Sequence, residues 1–185
     1  MAGWMNGDGL YVKFGSDEGD LIKGGHNKLS DGRHLCEFVI NAADVQSATN
    51  GILGATLAST DGSFGITIPK GARIEEMETM VETAFTSSGA IGTATLVLGM
   101  KKASDRSTEL DHDGFLTTSA TGTVLGLATV GTRTYYRIGT GTGVGDDFGT
   151  TIAENGVISA SNSQHGSHPF STGSLRVKIF YRFLS

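Results

Sequence analysis

The stretch richest in chemistry-bearing side chains is KKASDRSTELDHDG (101–114), where Asp105, Glu109, Asp111 and Asp113 gather with His112 just ahead of Gly114. Its D-x-D-G ending resembles a fragment of a calcium loop, in which about six to eight oxygens surround the ion. The later oxygen positions and the closing glutamate of such a loop are missing. Lys101, Lys102 and Arg106 stand among the acids, so an internally salt-bridged turn is the better reading and no metal is expected. Paired carboxylates such as Asp111 and Asp113 suit glycoside hydrolysis. That reaction wants an aromatic-lined cleft, and the chain is only 8% aromatic with a single tryptophan.

Three other places invite chemistry and fall short of it. GTGTGVGD (139–146) has the glycines of a phosphate loop but lacks the terminal Lys-Ser/Thr, and no helix follows to aim a dipole. It reads as a β-loop. His165 and His168 flank Gly166-Ser167 without visible metal partners and read as surface residues. The lone cysteine, Cys36, lies in the apolar run HLCEFVI and reads as a small buried hydrophobe. No Ser/His/Asp arrangement has a local signature. The chain is therefore expected to hold no catalytic residues, no cofactor and no metal.

The elements that carry these residues are strands. Arg33–Asn41 alternates, with Leu35, Glu37 and Val39 on one face and Cys36, Phe38 and Ile40 on the other. Pro69 cannot donate to a ladder, so FGITIPKGARI reads strand, turn, strand. Ile74, Met77, Val81 and Ala84 fall at helical spacing, whereas Met77, Thr79, Val81, Thr83 and Phe85 alternate. The lack of an N-cap and the Thr/Val content decide for strand. Thr93–Met100 is a second strand, expected to form a hairpin with Met77–Phe85. Ala42–Ala48 has room for a helical turn, Leu116–Val130 for one or two Thr/Gly-rich strands, and Arg133–Ile138 and Val157–Ser161 for one strand each. Leu175–Leu184 alternates to the very C-terminus, which implies pairing inside a sheet.

Composition agrees. Twenty-eight glycines against two prolines, with no Gly-X-Y period, suggest many short strands joined by tight turns. The expected fold is all-β, an antiparallel β-sandwich of jelly-roll type. At 185 residues it is one domain over 10–185, preceded by a flexible arm over 1–9. A net charge of −5 with 18% charged residues argues against nucleic acid as a partner. No run approaches the ~18 apolar residues of a membrane span, and the start shows no basic-then-apolar leader. Synthesis in a cytoplasm and no membrane partner are expected. The arm carries Trp4; such a residue either docks on a partner or packs on its own domain. Trp4, Met5 and Tyr11 are the candidate partner-binding residues.

Three phrases go further. GDGLYVKFG near the start, IPKGARIEEMETMVETAFTSSGA, and DRSTELDHDGF resemble a group of small structural proteins of tailed bacteriophages. The resemblance covers Gly7–Phe14 and Ile66–Phe115; His26 departs from it, following Gly24-Gly25 where the pattern calls for an acidic residue. The resemblance implies a virion component: a capsid decoration, or cement, protein on the capsid surface. It would be homotrimeric and bound to the major capsid protein of the phage head. The alternative is a tail- or fibre-associated receptor-binding module that reads carbohydrate through Tyr135, Tyr136 and Trp4. An enzyme acting on polysaccharide through Asp111 and Asp113 comes last.

Overall fold

A computed structural model describes residues 3–5, 11–13, 24–45, 51–52, 66–105, 107–117, 121–137 and 147–183. In chain order the strands are β1 (Gly3–Met5), β2 (Tyr11–Lys13), β3 (Gly24–Lys28), β4 (His34–Asn41), β5 (Gly51–Ile52) and β6 (Thr67–Ile68). Then come β7 (Ala72–Ser87), β8 (Leu96–Lys102), β9 (Glu109–Leu116), β10 (Arg133–Arg137), β11 (Gly156–Asn162) and β12 (Phe170–Phe183). Among the described residues the helical content is one 3-10 turn, Ala42–Val45, and one short helix, α1 (Gly122–Leu125).

The strands form two packed sheets. The first has the order β10-β7-β12-β4-β3; the second has β5-β11-β8-β9, with β6 also pairing on β11. β1 and β2 pair separately. From β4 onward the chain passes from one sheet to the other at β5, back at β7, and across again at β8; β9 stays beside β8, and β10, β11 and β12 alternate once more. Eight strands in two four-stranded sheets connected this way are a jelly roll, with β3 added at the β4 edge. The antiparallel sandwich expected from the alternation is present.

Alternation dictates which face turns inward. Along β4 the buried residues are Cys36, Phe38 and Ile40, and along β12 they are Phe170, Leu175, Val177, Ile179 and Tyr181. They meet Leu96, Leu98 and Met100 of β8 and Ile158 and Ala160 of β11 in one core. β12 runs to Phe183 between β7 and β4, so the C-terminal strand is central, as its pattern requires. The helix-like spacing in β7 has a local cause. Phe180 of β12 opposes Glu76 while the next residue, Tyr181, opposes Ile74, so an extra residue on β7 bulges out. Ile74 and Met77 thereby both face the core at a spacing of three.

Three expectations are corrected. β7 and β8 do not form a hairpin: β7 lies in the first sheet and β8 in the second, paired with β9 and β11. The second half of the polar stretch after β8 is strand, since Glu109–Leu116 form β9. Among its described residues, Leu116–Val130 ends β9 and then holds α1 and turns in place of further strands. The turn after β6 follows Pro69 as expected, with Gly71 at a φ of 85° where only glycine is unstrained.

Candidate functional site

The acidic cluster resolves into two different structures. Asp105 organises a turn: its Oδ1 accepts the backbone N–H of Ser107 at 2.9 Å and of Thr108 at 2.8 Å, and its Oδ2 accepts the Thr108 hydroxyl at 2.7 Å. These bonds, the Thr108 backbone N–H foremost, lower the Asp105 carboxyl to about 2. Glu109, Asp111 and Asp113 sit on β9, where Glu109 lies 3.4 Å from His112 and Asp111 accepts the Asp113 N–H. Among the described residues no three His, Cys, Asp or Glu groups converge as metal ligands. Asp105→Ala is expected to raise amide exchange at Ser107 and Thr108 selectively, leaving β7 and β12 protected. Because the folded carboxyl lies below its ordinary 3.8, the turn's stabilisation is present above that pH and lost as pH falls towards 2.

The histidine pair near 165 is equally local. Asn162, at the end of β11, accepts the Thr95 and Gln164 N–H groups and donates to the His168 carbonyl at 2.8 Å, fixing the turn that follows. His168 Nδ1 meets its neighbour Ser167 Oγ at 2.8 Å. The glycine-rich stretch 139–146 lies outside the described residues. Cys36 is fully buried, and burial raises its thiol far above the ordinary range, so it is no nucleophile at neutral pH.

The partner-binding candidates meet in one place. Met5 pairs with Tyr11 and Trp4 with Val12 in the β1–β2 ladder, so Trp4, Met5 and Tyr11 belong to one two-stranded ribbon; their side chains lie outside the described residues. Tyr135 and Tyr136 are separated instead. As neighbours on β10 they point to opposite faces, Tyr135 51% exposed and Tyr136 3%. They cannot form one sugar-stacking patch.

No local sequence pattern marks the outer face of the first sheet. There β7 contributes Glu76, Glu78 and Glu82, flanked by cations of β10 on one side and of β12 on the other. Arg133 donates to Glu78 at 2.9 Å and Arg137 to Glu76 at 3.1 Å. Arg176 bridges two strands, donating from Nη1 to Glu37 on β4 at 2.7 Å and from Nε to Glu82 at 2.6 Å. Lys178 approaches Glu78, Arg182 approaches Glu75, and Arg33 lies over the Phe180 ring. The carboxylates are the covered layer: the Glu78 and Glu76 side chains are 13% and 17% exposed, against 53% and 65% for Arg133 and Arg137. The β10 side therefore presents guanidinium groups resting on satisfied acids. Such an array can orient a partner by charge but has no group poised for bond making.

Two sheets linked strand by strand across a single core define a jelly-roll domain, an architecture shared by viral capsid proteins, lectins and cupins. No family model matches the chain, and no curated protein matches it in sequence. Among solved structures it is similar to a chain of "Cyanophage Pam1 capsid asymmetric unit", at 14% identity over 93% of this chain and 94% of that one, with a TM-score of 0.46. It is also similar to a chain of "Capsid of Ralstonia phage GP4", at 13% identity over 86% of this chain and 89% of that one, with a TM-score of 0.48. At these values the likeness assigns no role to any residue here. No helix among the described residues is long and apolar enough to cross a membrane.

Proposed function

We propose that this chain is a structural protein of a tailed-phage virion, a non-enzymatic capsid decoration protein that binds the major capsid protein as a homotrimer and reinforces the head shell. The observation that carries this reading is where the phage-like phrases fall on the jelly roll. LYVKF includes β2 of the N-terminal ribbon, IPKGARI is the turn from β6 into β7, and STELDHDGF is the rise into β9. The resemblance thus tracks strand entries and a turn of the sandwich. The β1–β2 ribbon, with Trp4, Met5 and Tyr11, is the proposed shell contact. Repeated weak contacts made by a trimer on a repeating lattice add up to tight attachment through high effective concentration.

Purified protein added to shells that lack it tests the proposal. The expected result is saturable binding at copy numbers in the hundreds per virion and a trimer in native mass measurement. A copy number on the scale of a tail, or no binding to shells, overturns it.

A further inference from the structure

Two imidazoles face the interior at one corner of the sandwich. Along β4, His34 belongs to the same inward row as Cys36 and Phe38. Across the ladders His26 of β3 opposes Cys36, and Tyr181 of β12 opposes His34, so all three rings lie on the inner face. His26 Nδ1 is 3.1 Å from the Tyr181 hydroxyl. The His34 ring stacks on Tyr181 at 5.2 Å and 19°, and Phe183 meets it edge-on. In the neutral ring Nδ1 can accept the Tyr181 O–H, which links β3 to β12 across β4.

β3 has little else to hold it. It pairs with β4 alone among the described strands, and its five residues, Gly24-Gly25-His26-Asn27-Lys28, bring no aliphatic side chain to the core. The charged and titratable groups around the corner are Lys28 on β3, His34 and Cys36 on β4, and Tyr181 on β12. β2, which approaches β3, carries Tyr11 and Lys13. No carboxylate among the described residues compensates a charge on either ring. His34 Nδ1 is buried without a hydrogen-bond partner among them.

We propose that His26, His34 and Tyr181 form an acid-released latch: proton uptake by the two imidazoles places two like charges around one phenol and frees edge strand β3 while the eight-stranded sandwich stays folded. A proton on Nδ1 turns the acceptor of the Tyr181 bond into a donor, and a second proton on His34 sets two like charges around one phenol. Burial, then His34, holds the His26 pKa below its ordinary 6.5; burial, then Lys28, does the same for His34. The unfolded corner therefore binds protons first. The latch is fully closed above pH 6.5 and weakens as pH falls from there to the lowered folded values. This inference stands apart from the proposed shell-binding role.

Amide exchange of the full chain between about pH 7.5 and about pH 5, corrected for intrinsic rates, tests it. Protection of 24–28 is expected to fall by about tenfold or more while 72–87 and 170–183 keep theirs. His26→Gln and His34→Gln each should shrink that step. A pH-independent β3 overturns the latch, as does loss of β3 only together with β7 and β12, or a step unchanged in both variants. The wild-type measurement alone decides if a variant fails to fold.

Discussion

Gly99→Val is expected to leave no folded protein under conditions where the parent chain is native, and Gly99→Ala to cost ~3 kcal/mol or more. Gly99 lies in the middle of β8, opposite Ser159 of β11 on one side. On its other side the pairing with β9 slips: Leu98 opposes Leu116, while Met100 opposes Asp111. The surplus β9 backbone folds over Gly99. A Cβ there would stand 2.2 Å from the His112 carbonyl oxygen and 2.3 Å from that of Asp111. Overpacking is tolerated when flexible side-chain ends can move aside. Here the obstacle is backbone in a ladder, so the β8–β9 hairpin must part and the second sheet loses its outer strand. The control is Gly166→Ala, where an added Cβ meets nothing within 4 Å and the effect should be small. Thermal unfolding of both variants decides. Equal stabilities would mean that β9 does not cross Gly99 this closely.

How much of this was legible in the residues depended on which neighbours set each strand's pattern. β4, β7 and β12 were readable because each buries one face, which imposes a period of two on its own sequence. The bulge near Glu75 blurred that period in β7 and produced the helix-like spacing of Ile74 and Met77. From its residues β9 looks like loop because it is an outer strand, with acidic residues along its first half where solvent accepts them. Which sheet β8 joins was not legible: a short connection after β7 suggests a hairpin, but a jelly roll uses it to cross between sheets. Local patterning does not encode that choice.

The outer charge array was hidden for a related reason. Its partners are far apart in the chain, 55 residues for Glu78 and Arg133 and 139 for Glu37 and Arg176. They become neighbours only once the order β10-β7-β12-β4 is fixed. His26 departs from a family phrase, yet its role depends on Tyr181, 155 positions later. The acidic loop offered the opposite lesson. Its residues are close in sequence, and Asp105 spends its carboxylate on its own turn.

Phe38→Ala should lower stability by about 3–5 kcal/mol, a large share of the ~5–15 kcal/mol that holds a domain together. Phe38 is fully buried on β4, between β3, where it opposes Gly24, and β12, where it opposes Val177. Its ring fills the interior beside Gly24, a position with no side chain of its own, so truncation opens a cavity that β3 cannot close. Val39, the next residue, points to the outer face among the ion pairs and is only half-buried. Val39→Ala removes apolar atoms that already touch water and should cost less than ~1 kcal/mol. In urea the Phe38 variant should show a lower midpoint with an unchanged slope, the signature of lost stability in an intact two-state fold. Similar costs at 38 and 39 would contradict the inward row Cys36–Phe38–Ile40. That row is also the one that orients His34, so the same pair of variants tests the geometry on which the acid latch depends.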